Sequence, residues 1–85
     1  MTKRIYSVPD LREYLDSVDA YAANIFPCGY YDEMTSEDPI MGIDGREEIM
    51  NWILENPSYI EWGEMIGYMI VVSNSKYEYV GTVIY

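Results

Sequence analysis

The chain has no histidine, a single cysteine, and only five lysines and arginines in 85 residues. Without histidine, every histidine-based triad or general base is excluded, and one thiol leaves none of the common zinc sites. One cysteine also rules out an internal disulfide, which fits a reducing cytoplasm. Cys28 lies between Pro27 and Gly29 with no basic neighbour to lower its pKa, so it reads as a structural thiol rather than a nucleophile. The glycine-rich signatures are missing too: there is no Walker loop, no G-x-G-x-x-G and no G-x-S-x-G. Residues 38–48 are acidic but lack the D-x-[DN]-x-[DN]-G spacing of a calcium loop. No pair of carboxylates is marked out for acid–base chemistry. Long apolar runs are also absent. The longest, Met65 to Val72, is far short of the ~20 residues that span a bilayer. No apolar run follows the charges at residues 3–4, so no signal peptide is expected. These absences point to a non-enzymatic cytoplasmic protein that needs no cofactor and no metal.

What the chain does have is acid and tyrosine. Fifteen aspartates and glutamates give a formal charge of −10, and there are ten tyrosines. Apolar residues make up 49% and aromatics 15%, which separates the chain from disordered acidic segments and allows one modest core. Residues 1–85 read as a single domain.

Ser7-Val8-Pro9-Asp10 is a helix start, with Ser7 as N-cap, Pro9 in the first turn and Asp10 completing an S-x-x-D box. Leu11, Tyr14, Leu15, Val18, Tyr21, Ala22 and Ile25 follow at helical spacing, predicting a helix over residues 9–24 that Pro27 and Gly29 end. Residues 26–43, with two prolines and two glycines, read as a long ordered loop. Asp44-Gly45-Arg46-Glu47 is a second capping signal, for a helix that stops near Asn56 before Pro57. Beyond it, β-branched and aromatic residues predict a C-terminal hairpin of strands 65–73 and 77–85, with 58–62 as a third antiparallel strand. Residues 2–6 are a candidate fourth. The middle strand is apolar at both parities, as a strand covered on two sides would be. The expected fold is α+β: two helices packed on a small antiparallel sheet of three or four strands.

The acids are unevenly placed. Asp10, Glu13, Asp16 and Asp19 wind across the outer face of the first helix, each three-residue step rising ~4.5 Å. Phosphates on one strand of a duplex recur every ~3.4 Å, a comparable density. Arg12, four residues before Asp16, is placed to neutralise part of this strip. Asp32, Glu33, Glu37, Asp38, Asp44, Glu47 and Glu48 then crowd into seventeen positions relieved only by Arg46, beside the pair Tyr30-Tyr31. Capping and the helix dipole account for about three of these seven. Asp44, Glu48, Asn51 and Glu55 fall on the outer face of the second helix, while beyond Asn56 only Glu61, Glu64 and Glu78 remain. Tyrosine gives large contact area at low entropic cost, so Tyr30 and Tyr31 join Glu13, Asp16, Asp19 and the seven acids of residues 32–48 as a candidate binding surface.

In size and charge profile the chain resembles the small acidic anti-defence proteins of phages and mobile elements, many anti-CRISPR proteins and some antirestriction proteins among them. The likeness spans the whole chain, rests on these acids with Tyr30 and Tyr31, and includes no motif. It implies a protein-binding inhibitor that acts as a DNA mimic on a CRISPR effector or a similar defence nuclease. The expected partner is a basic protein with a nucleic-acid-binding groove, such as a CRISPR effector, a restriction nuclease or a toxin nuclease. Direct contact with nucleic acid or an anionic membrane is disfavoured by charge. Two other readings fit the same composition: an immunity protein or antitoxin against a basic toxin nuclease, and an acidic soluble domain with an unrelated interaction role. The latter needs a net charge of only about 2–8 for solubility.

Overall fold

Ser7 opens the first helix as its sequence implies. Its backbone is extended and its hydroxyl accepts from the Asp10 N–H at 3.3 Å, with proline just inside the helix. The computed structural model describes residues 2–29 and 38–85 of the chain, and in it this helix, α1, spans Val8–Ser17. It ends seven residues before the predicted position 24. Asp19 turns left-handed (φ 53°), the Asp19 N–H returns to the Asp16 carbonyl and the Ala20 N–H to the Leu15 carbonyl. This is a Schellman stop with aspartate where glycine is usual, one of the few other residues that tolerate the conformation.

The chain then runs as a strand where helix was expected. With β1 at Thr2–Arg4, the remaining elements are β2 (Ala22–Cys28), β3 (Met41–Asp44), α2 (Arg46–Glu55), β4 (Tyr59–Glu61), β5 (Glu64–Ser73) and β6 (Tyr79–Ile84). The fold is α+β, with two helices and a mixed sheet of six strands among the described residues, more than the three or four expected and not all antiparallel. The sheet order is β1-β6-β5-β2-β3, with β4 pairing the start of β5. Every pairing is antiparallel except β1 on β6, which is parallel. The C-terminal hairpin, the third strand and the strand near the N-terminus all lie close to their predicted positions. The two strands that the sequence does not suggest come from the predicted long loop and the tail of the predicted first helix. Pro27 sits inside β2 because β3 pairs only as far as Ile25, so the missing N–H interrupts no pairing with β3.

Both helices lie on one face of the sheet. Registers Ala23↔Val72, Ile25↔Ile70 and Ile70↔Val83 align one row of side chains, and Leu11, Leu15, Ile49, Met50 and Ile53 bury themselves on it. Full burial of such a side chain contributes ~1.5–3 kcal/mol before conformational entropy is set against it. The alternate row of β5 (Met69, Val71) is only half-buried, so the central strand is covered fully on one side rather than two. The start of α2 also differs from the capping signal. Gly45, at φ 99°, is the N-cap with no side-chain cap bond, and Asp44 is the last residue of β3. Glu47 and Glu48 occupy the first turn, where the helix dipole favours them. The helix stops at Glu55, with Asn56 as C-cap, as Pro57 requires.

Candidate acidic interface

The outer side of the helical layer carries most of the described acid, and its two arginines decide which acids are available. Arg12 does not pair with Asp16 along its own helix. It crosses to α2, where its guanidinium donates to both Glu47 carboxylate oxygens at 2.6 and 3.2 Å. Arg46, the first residue of α2, crosses the other way, donating to Asp16 at 3.0 Å, to Asp19 at 2.8 Å and to the Ala20 carbonyl at 3.0 Å. The seam between the helices is therefore a set of cation–carboxylate pairs. Three of the acids that the sequence singles out, Asp16, Asp19 and Glu47, are engaged there.

On the far flank of α1, exposed Asp10 and Glu13 make no ion pair among the described residues and line a groove of about 260 Å³ with Lys3, Arg4, Tyr6 and Tyr14. On α2 the 100° helical step puts Glu48, Asn51 and Glu55 within a sector of roughly 60°. All three are exposed, and neither acid has an ion pair among the described residues. Asp38 is exposed ahead of β3. Asp44 lies off the helix and accepts from the Tyr77 hydroxyl at 3.3 Å, while Tyr77 meets Tyr21 edge to face at 6.1 Å. Tyr21 therefore belongs to a surface tyrosine pair and not to a helix core. Tyr30, Tyr31, Asp32, Glu33 and Glu37 lie outside the described residues, so the tyrosine pair and the first three acids of the 32–48 run have no structural account.

The titration behaviour follows this geometry. Hydrogen bonding to Arg12, reinforced by its charge, holds the Glu47 carboxyl below the ordinary range, and Glu47 in turn raises Arg12. The negative charge of Asp44 raises the Tyr77 phenol. Burial pushes the Cys28 thiol up, against the thiolate character that a nucleophile needs.

A pH prediction follows from the Arg12–Glu47 pair. Because the folded Glu47 titrates below its unfolded value of ~4.3, its contribution is complete above that pH and is lost as pH falls through the lower folded value. Arg12→Met should lower the urea midpoint modestly at pH 7, since the pair is exposed. The gap from wild type should persist at pH 5 and close towards pH 3. A gap independent of pH would show that Arg12 acts by packing alone.

Sequence reasoning misses a second exposed feature, the β4–β5 hairpin. Tyr59, Ile60, Trp62 and Met65 are all exposed there, around the turn Trp62-Gly63. The signal available was Glu61-Trp62-Gly63-Glu64, a tryptophan where a two-residue turn usually has asparagine or aspartate. Among the described residues no three carboxylates or sulfurs converge as metal ligands, and no helix is long and apolar enough to cross a membrane. No protein-family model, curated protein or solved structure matches this chain.

Proposed function

We propose that the chain is a non-enzymatic inhibitor whose acidic helical layer occupies the basic nucleic-acid groove of a protein such as a CRISPR effector or another defence nuclease, in place of DNA. The observation that carries this reading is the division of charge across the two helices. Both arginines of the layer are consumed in the seam, while Asp10 and Glu13 on one side and Glu48 and Glu55 on the other face outward with no ion pair among the described residues. Two pairs of carboxylates flanking a seam whose two arginines offset all but one of its three acids approximate the charge plan of a duplex groove, in which two phosphate strands border an uncharged floor. Helices in contact lie about 8–10 Å apart between axes, which puts rows on their outer flanks at a separation on the order of the ~12 Å major groove. Such a surface gives fast, salt-sensitive association with a basic groove.

The test is competition. A panel of purified CRISPR effectors, restriction nucleases and toxin nucleases is titrated with the protein, with and without cognate nucleic acid. One member should form a one-to-one complex that weakens steeply as salt rises, and DNA and the protein should exclude each other. Simultaneous binding of both would end the mimic reading. A preference for a toxin nuclease over every defence enzyme would shift it to an immunity protein.

A further inference from the structure

Trp62 stands in a conformation and an environment that both disfavour it. The register Glu61↔Glu64 leaves Trp62-Gly63 as a two-residue turn, and both residues have positive φ, 53° and 82°. This is the type I′ pattern, whose first position selects asparagine, aspartate or glycine. A bulky side chain there is an outlier. Trp62 is also 97% exposed, the highest value among the large apolar side chains of the described residues, with Ile60 at 72% beside it.

The other two non-glycine residues at positive φ among the described residues are held by contacts. Asp19 is bound by Arg46, and Tyr77 rests on Asp44 and Tyr21. Trp62 has no hydrogen bond, ring contact or ion pair among the described residues. The residues on either side add a further conflict, since Glu61 and Glu64 are directly opposed and like charges in that relation destabilise a strand pair. Strain, exposed apolar area and unrelieved charge thus coincide in four consecutive residues, and such local disagreement marks functional positions.

We infer that this hairpin tip is an anchor for a protein partner. Trp62 enters an apolar pocket whose rim carries lysine or arginine against the Glu61–Glu64 pair. Two of the three conflicts are then relieved at once, since the indole leaves water and the opposed carboxylates gain a shared cation; the backbone strain is the cost of presenting the indole. Tryptophan is among the residues enriched at interface hot spots, which sit in well-packed, desolvated pockets. The two carboxylates argue against a lipid surface and against a second copy, which would bring the same pair and another −10. Only Asn56, Pro57 and Ser58 separate the hairpin from α2, so the anchor is tethered closely to the acidic layer. The inference rests on the proposed function for the basic character of the target and adds an apolar contact to it.

Trp62→Asn tests it, because it produces Asn-Gly, the preferred type I′ pair. The melting temperature should rise by several degrees. Affinity for the panel member that wild type binds should fall at least ~10-fold, with the salt slope unchanged, because no charge is altered. Unchanged affinity overturns the anchor while leaving the acidic-layer reading in place, whereas failure of wild type to bind any panel member overturns both. A lowered melting temperature makes Trp62 structural and overturns the inference. So does a wild-type dimer in sedimentation that Trp62→Asn dissolves, or Trp62-dependent binding to phosphatidylcholine vesicles, since each puts a different occupant on the tip.

Discussion

Reversing Asp10, Glu13, Glu48 and Glu55 to lysine should abolish binding to the basic target while leaving the protein folded. Four reversals of two charges each move the formal charge from −10 to −2. At each position an attraction worth about 0.2–1 kcal/mol is lost and a like-charge repulsion of similar or larger size is added. Taken as ~1–2 kcal/mol per site, the total is on the order of 10³-fold or more in affinity. The fold should persist because these side chains are exposed and make no ion pair among the described residues. Lysine is unfavourable at Asp10 and Glu48, in the first turns of their helices, and favourable at Glu55, at the end of α2, so the dipole effects partly cancel.

Position and total charge are separated by single changes. Glu48→Lys and Glu78→Lys alter net charge equally, but Glu78 lies in the β5–β6 connection, outside both helices. Calorimetric titration should show about tenfold weakening for the first and little for the second. Equal losses would mean that the overall field binds the target, with no particular face involved. Reversal of Asp16 or Asp19 should behave differently again: it places lysine against Arg46 and lowers the melting temperature, because those acids hold the helices together.

That contrast shows what was readable in the chain and what was not. The concentration of acid before residue 56 is visible in the sequence, because charge is a property of each residue. The pairing is not visible. Arg12–Asp16 is the local expectation, whereas the contact made, Arg12–Glu47, spans 35 residues and exists only once α1 and α2 are side by side. The start of α1 is equally local, since Ser7 and Asp10 specify it. Its end was hidden for two reasons. Asp19 performs the stop without glycine, and Val18, Tyr21, Ala22 and Ile25 keep helical spacing although residues 22–28 are a strand. Pro27 looks like a breaker and is accommodated only because β3 ends short of it. At four residues β3 is too short to show alternation. The later strands were legible because β-branched and aromatic residues dominate them, but the parallel placement of β1 depends on the whole sheet.

Gly67→Ala should be among the most damaging single-methyl changes in the protein. Gly67 pairs with Cys28 in the middle of β5, near the base of the hairpin that carries Trp62. A Cβ there would collide with the Tyr85 carbonyl oxygen and lie 3.5 Å from the Ser58 hydroxyl oxygen. That carbonyl cannot step aside cheaply, because it accepts from the Tyr68 N–H at 2.9 Å and from the Ser58 hydroxyl at 3.0 Å. Overpacking of this kind costs about 1–3 kcal/mol, and each hydrogen bond broken adds roughly 0.5–1.5 kcal/mol. The sum, about 2–6 kcal/mol, compares with a total stability on the order of 4–13 kcal/mol for a chain of this length. It also exceeds the ~0.4–1 kcal/mol that Gly→Ala returns by restricting the unfolded chain. Gly81→Ala is the control. Its Cβ would meet the Tyr14 hydroxyl, the far end of a side chain that can rotate away at the expense of its contact with Lys3. Urea denaturation should therefore place Gly67→Ala well below Gly81→Ala, with Gly81→Ala below wild type. If Gly67→Ala matches wild type, the Tyr85 carbonyl is not fixed, and the base of the hairpin is free to shift relative to the helices.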